Sequence, residues 1–180
     1  ISPVDGSVSQ LGNIKSGRII QAKGMYFNLL EFLGNNKPIY EKIKEGMFST
    51  FYLSPKDYHR VHMPLDGKLR EMIYLPGKLF SVNSTTSNRV KNLYSKNERL
   101  VCIFDTVRGP MVVVLVCDMI VSGITVKSSF SSLACILCLN SCAEYSPGLT
   151  IYPSFSLLRF LDEIIDLDSD KRFQLTLLNP

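Results

Sequence analysis

Apolar positions recur along the first two thirds of this 180-residue chain in short runs rich in β-branched and aromatic residues, each cut off by Gly, Pro, Asn or Asp. Runs of that length and composition fit strands better than helices. Arg18-Ile19-Ile20-Gln21-Ala22 and Phe48-Ser49-Thr50-Phe51-Tyr52-Leu53 are two of them. Between them, Tyr26 to Leu33 spaces its apolar residues as one short helix would and stops at Gly34, which can take the left-handed conformation that ends a helix. Ile39 to Lys44 reads as a second short helix. Asp66-Gly67 is a hairpin-type turn, and Lys68 to Leu75 runs out of it as a strand. Leu100-Val101-Cys102-Ile103-Phe104 and Met111 to Cys117 are parted by Arg108-Gly109-Pro110 and are apolar without alternation, the mark of neighbouring strands covered on both faces. The pattern predicts a mainly β (α+β) domain with short helical insertions.

Near residue 125 the pattern changes. Lys127-Ser128-Ser129-Phe130-Ser131-Ser132 leads into Leu133-Ala134-Cys135-Ile136-Leu137-Cys138-Leu139. Farther on, Ser156 to Leu167 places Leu157, Phe160, Leu161, Ile164 and Ile165 on one face of a helix, with acids largely opposite. The chain therefore divides into a β-rich core over 1–125 and a divergent segment over 126–180, and a disrupted reading frame near the junction would account for the abrupt change.

Composition narrows the class. The length suits one domain with a sizeable core, and no apolar run approaches the roughly 18 residues needed to span a bilayer. Residues 1–127 carry 17 Lys+Arg against 10 Asp+Glu (+7), and residues 128–180 carry 3 against 6 (−3), which sum to the net +4. The basic part suits an anionic membrane surface as well as an ordinary solvated face. Nucleic acid is a poorer fit, since Lys and Arg form no dense stripe and no aromatic platform is interleaved with them. The odd number of cysteines, Cys102, Cys117, Cys135, Cys138 and Cys142, argues against a disulfide framework and for a reducing compartment. Cys135 and Cys138 have redox or metal spacing, but their neighbours are apolar and no second pair completes a zinc site. No metal is expected.

Candidate chemistry concentrates in Asp57-Tyr58-His59-Arg60-Val61-His62-Met63-Pro64, which holds the chain's two histidines. Histidine titrates near physiological pH, so a close pair is suited to proton transfer, although the same spacing also serves to hydrogen-bond a turn. This stretch extends a longer motif beginning at Tyr52-Leu53-Ser54-Pro55-Lys56. Ser2-Pro3-Val4-Asp5-Gly6 precedes it, and Pro76-Gly77-Lys78-Leu79-Phe80-Ser81-Val82-Asn83 and Asn97-Glu98-Arg99 follow. In that order the four motifs resemble the phosphatidylserine decarboxylase family in its bacterial-type form, over about the first 125 residues.

The resemblance implies a specific chemistry. Family members make their own cofactor: a histidine oriented by an aspartate deprotonates an internal serine, which attacks the preceding glycine carbonyl, and the ester eliminates to leave a pyruvoyl group. That group forms a Schiff base with the amine of phosphatidylserine, carbon dioxide leaves, and hydrolysis frees phosphatidylethanolamine. By motif match Asp5 is the orienting carboxylate, His62 the base, and His59 the histidine of the decarboxylation stage. Phe80, Ser81 and Asn83 match a segment that contacts the headgroup. The family also implies an upstream helical, membrane-associating segment, an anionic membrane surface as partner, a homodimer as the assembly allowed for, and a peripheral place on the cytoplasmic face of a bacterial-type inner membrane.

One departure stands out. The family's self-cleavage signature, Leu-Gly-Ser-Thr, follows a stretch resembling Arg-Phe-x-Leu, whereas here Arg172-Phe173-Gln174-Leu175 is followed by Thr176-Leu177-Leu178-Asn179-Pro180. Neither Thr176, preceded by leucine rather than the glycine needed for close approach, nor Ser169, set between Asp168 and Asp170, matches the nucleophile. A chain with this ending is expected not to cleave itself. The rival expectation is a non-catalytic β-rich remnant that docks on lipid or on a partner.

Overall fold

A computed structural model describes residues 1–54, 56–118, 124–127, 164–167 and 173–179. The described elements are β1 (Ser7–Asn13), β2 (Arg18–Ala22), β3 (Met25–Asn28), α1 (Leu29–Phe32), α2 (Lys37–Ile43), β4 (Met47–Leu53), β5 (Arg60–His62), β6 (Gly67–Leu75), α3 (Ser84–Ser87), α4 (Leu93–Lys96), β7 (Arg99–Thr106), β8 (Gly109–Val116), β9 (Ile124–Lys127), β10 (Ile164–Leu167) and β11 (Phe173–Asn179). The fold is mainly β.

The centre is a six-stranded antiparallel sheet in the order β1-β4-β11-β8-β7-β6. The two unalternating apolar runs are its β7–β8 hairpin, in register from Arg99 opposite Val116 to Thr106 opposite Gly109. Their side chains divide between two buried clusters by the period of two that a pleated strand imposes. Val101, Ile103, Val112, Val114 and Val116 face one side, where Phe27, Leu29, Phe32, Leu33, Ile39, Ile43, Leu93 and Tyr94 cover them. Leu100, Cys102, Phe104, Met111, Val113, Leu115 and Cys117 face the other side with Val4, Leu53 and Val61. A bulge in β6 between Leu69 and Glu71 lets Leu69 and Met72, three residues apart, both pack on the second cluster.

The short helices begin at asparagines. The Asn28 and Asn36 side chains accept the backbone N–H groups of Glu31 (3.1 Å) and Ile39 (3.3 Å), and Asn83 accepts that of Thr86 at 3.0 Å. Gly34 has φ +67°, the left-handed ending expected of it. Arg99 then joins two helix ends: its buried guanidinium donates to the carbonyls of Phe32 (2.8 Å), Glu31 (2.9 Å), Ser95 (2.7 Å) and Asn97 (2.9 Å).

Three local expectations are corrected. The helix read from Tyr26 begins only at Leu29, because Met25–Asn28 pairs with β2, Phe27 opposite Ile19. The Asp66-Gly67 turn does not close a hairpin: β6 pairs with β7, whereas β5 joins a three-stranded sheet, β5-β10-β9. Of the helix read over Ser156–Leu167, residues 156–163 lie outside the described residues and Ile164–Leu167 is strand β10, paired on both sides. Tertiary pairing overrides helical spacing there. Cys135 and Cys138 also lie outside the described residues.

Candidate active site

The amino-terminal motif runs beside the histidine motif. The His62 backbone N–H donates to the Pro3 carbonyl at 2.8 Å, and the Ile1 ammonium donates to the Pro64 carbonyl at 3.1 Å. Val4 is buried in the same cluster as Val61, so both segments lie on the second face of the large sheet. Asp5 follows at once, exposed to solvent, before Gly6, where an added Cβ would stand 2.7 Å from the Tyr52 carbonyl oxygen. No side chain fits there, and the close approach to β4 sets where Asp5 leaves the sheet.

The two histidines are held differently. The Ser54–Asp57 turn is closed by the Asp57 carboxylate, which accepts the Ser54 N–H (2.7 Å) and hydroxyl (2.9 Å). Those two hydrogen bonds hold the Asp57 carboxyl below its ordinary range. Beyond the turn, His59 is buried and its Nδ1 lies 2.5 Å from the Asp57 carbonyl. A carbonyl only accepts, so Nδ1 carries the proton. His62, partly exposed on β5, has its Nε2 3.2 Å from the Tyr58 hydroxyl. The two rings are stacked, with centroids 5.7 Å apart and planes 9° from parallel.

The Phe80–Asn83 segment is fastened from beneath. Asn97, fully buried, accepts the Phe80 N–H at 3.1 Å and donates to the carbonyls of Phe80 (2.7 Å) and Cys117 (2.8 Å). One oxygen of the buried Asp118 carboxylate accepts the Ser81 hydroxyl and the Val82 N–H, each at 3.3 Å; the other has no hydrogen-bond partner among the described residues. Asn83 donates to the Ser81 hydroxyl at 3.0 Å while capping α3. The segment lies between the two clusters: Leu79, just before it, and Cys117 pack with Val4 and Val61, whereas Phe80 and Val82 pack with the helix-covered cluster. In the sequence Tyr58 and Asn97 stand within motifs of the family resemblance but received no role, and Asp118 was not singled out at all. The available signal for Asp118 was a carboxylate one residue past Cys117, the end of an otherwise apolar run.

Thr176 is fully buried in β11, opposite Thr50 and Val114, with its hydroxyl 3.5 Å from that of Thr50. Val114 faces the helix-covered cluster, and pleating puts Thr176 on that same side, across the sheet from Val61.

A family model for phosphatidylserine decarboxylase matches residues 1–156. The chain belongs to the phosphatidylserine decarboxylase family. It is 59% identical over 124 residues to the phosphatidylserine decarboxylase proenzyme of Pseudomonas fluorescens, covering 69% of this chain and 43% of that protein. The same-named proenzyme of Pseudomonas putida is 60% identical over 124 residues, again 69% and 43%. That of Marinobacter nauticus is 56% identical over 123 residues, 68% and 43%. The chain thus spans less than half the length of these relatives. Among the described residues no helix of this family member is long and apolar enough to cross a membrane, and no group of three or more His, Cys, Asp or Glu could hold a metal ion.

Proposed function

We propose that this chain carries the histidine-bearing part of a decarboxylase that converts phosphatidylserine to phosphatidylethanolamine and carbon dioxide. The observation that carries this reading is the bond from the His62 N–H to the Pro3 carbonyl, which fixes the Asp5 segment beside the histidine strand in a member of this family. In this reading Asp5 orients His62, His62 is the base, and His59 serves the decarboxylation stage with its Nδ1 proton committed to the Asp57 carbonyl. Phe80, Ser81 and Asn83 contact the headgroup from a segment that Asn97 and Asp118 hold still. The division at residue 125 belongs to the same proposal, as do an anionic membrane surface and a homodimer. So does a peripheral place on the cytoplasmic face of a bacterial-type inner membrane, which the +7 balance of residues 1–127 favours.

The residues present do not fit the precursor of a pyruvoyl group. The proenzyme names of the relatives agree with a self-processed enzyme, but here leucine stands before Thr176, and that hydroxyl faces away from the histidine strand.

The test is to replace the residues after about 125 with a family-like ending that contains Leu-Gly-Ser-Thr. Self-cleavage on a gel and carbon dioxide release from phosphatidylserine vesicles should both appear. His62→Ala should then block cleavage. His59→Ala should leave at least some cleavage but depress carbon dioxide release. Unchanged turnover in both variants would make the histidines structural and end this reading.

A further inference from the structure

The proton on His59 is placed by a carbonyl, which has no hydrogen to give; the proton on His62 is placed by a hydroxyl, which can do either. Which ring nitrogen of a histidine is protonated follows from the bond the other one makes. We propose that Tyr58 is a positioning residue for His62: its phenol donates to Nε2, which keeps the His62 proton on Nδ1 and Nε2 as the lone-pair nitrogen.

Three observations support this. The rings are stacked 9° from parallel, which holds the imidazole at one rotation and aims its Nε2 at the hydroxyl 3.2 Å away. Tyr58 is 47% exposed, so burying its ring is not what keeps it there. The His62 backbone is pinned on both sides, by its bond to Pro3 and by pairing opposite Ile164 in β10, which fixes the point from which the ring reaches the tyrosine. The tautomer so selected is the one a base requires. Nε2 presents its lone pair where an attacking hydroxyl would approach, and Nδ1–H remains to donate to a carboxylate arriving from the Asp5 side. The phenol then holds the seat of the nucleophile's hydroxyl until that hydroxyl displaces it. Only this last consequence rests on the proposed role of His62; the tautomer itself does not.

Two histidines make the measurement direct. The test is long-range 15N–1H NMR of the labelled full chain in alkaline buffer, with the pH raised until the histidine signals no longer move. His59→Gln assigns the signals. Both histidines should show Nδ1 protonated and Nε2 bare, with His59 as the internal standard for that form. In Tyr58→Phe, which keeps the ring and loses the hydroxyl, the His62 Nε2 signal should move to the protonated range while the His59 signals stay, and Tyr58→Leu should act alike. Protonated Nε2 on His62 in the parent chain overturns the proposal before any variant is made, as does a bare Nε2 that persists in Tyr58→Phe. Absence of lipid turnover in the restored protein, with the tautomer as described, would end the functional reading alone.

Discussion

The two faces of the six-stranded sheet draw on the same strands, and alternate residues of β7 and β8 supply both, yet the faces are closed by different means. Helices α1, α2 and α4 with the β2–β3 hairpin lie over one face, where the buried Arg99 guanidinium grips four carbonyls, although the buried Ser95 hydroxyl on α4 has no hydrogen-bond partner among the described residues. The other is roofed by the amino-terminal segment and β5, with partly buried Phe51, Met63, Leu65, Leu69, Met72 and Leu79 along its margin. The Asp5 segment and the histidine strand are anchored at that second, less closely covered face through Val4 and Val61, whereas the Phe80–Asn83 segment is shared, with Phe80 and Val82 packed on the first cluster and the neighbouring Leu79 on the second. A site that must admit a substrate cannot also be a fully packed core.

The contrast is broken most forcefully from the closed side. Phe32 is fully buried, edge-on to Phe27 and beneath the Arg99 guanidinium, whose carbon lies 5.8 Å from the ring centroid. Phe32→Ala should cost about 3–5 kcal/mol, through lost transfer energy and the cavity left behind. Val61→Ala, on the open side, removes two methyl-sized groups and should cost about 1.5 kcal/mol. Urea midpoints at unchanged slope measure both. Equal losses would mean that the two faces are packed alike and that the distinction drawn here is wrong.

Arg99 gives the next effect. Burial lowers its pKa and the nearby Glu31 carboxylate works against that shift, while carbonyl oxygens at the ends of α1 and α4 surround the guanidinium. Arg99→Leu keeps the bulk and strips those carbonyls of a donor, which should cost about 2–3 kcal/mol. Arg99→Lys, with a point charge in place of the planar fork, should fall between that variant and the parent. A lysine variant as stable as the parent would show that charge, rather than the geometry of the fork, closes this end of the core.

How far the fold could be read in advance follows from the range of the interactions involved. β7 and β8 were legible because a strand buried on both faces announces itself without any partner. The Gly34 helix ending was legible because it is local. β10 was not, since its residues have helical spacing and become a strand only by lying between β5 and β9. The bulge at Arg70 likewise hid the alternation of β6. For the site, scarcity did the work: with two histidines in the chain, the motif around them was conspicuous. Asp118 was not, because it meets Ser81 37 positions upstream, a contact that no local pattern encodes. Tyr58 was in view, but its stacking on His62 is a matter of ring orientation.

Smaller effects sharpen the same comparison. Thr50 and Thr176 are the two hydroxyls buried between β4 and β11, on the closed side. Thr176→Val alone should cost about 1 kcal/mol, because it leaves the other hydroxyl without its partner, whereas Thr50→Val with Thr176→Val should return close to the parent's stability. Intact mass of the parent after denaturation should show one uncleaved chain, and neither variant should alter that. Two fragments in the parent that disappear in Thr176→Val would place a working nucleophile on the face assigned here to packing.

The smallest effect lies at the entrance to the histidine strand and appears only in acid. The Ser54 N–H and hydroxyl bonds hold the Asp57 carboxyl below its ordinary value of 3.8, so the folded form binds that proton more weakly than the unfolded chain does. The sign follows by linkage: the contribution is complete above the unfolded value and is lost as pH falls through the lower folded one. Asp57→Asn removes it at every pH. Denaturation midpoints of parent and variant should therefore differ slightly near neutrality and converge as the pH falls below the ordinary carboxylate value of 3.8. The His59 Nδ1 bond goes to the Asp57 backbone, which the substitution leaves in place, so the His59 tautomer should survive. A constant gap across the acid range would mean that the carboxylate does not close the turn, and loss of the His59 tautomer in Asp57→Asn would mean that the turn, more than the carbonyl, holds the buried histidine.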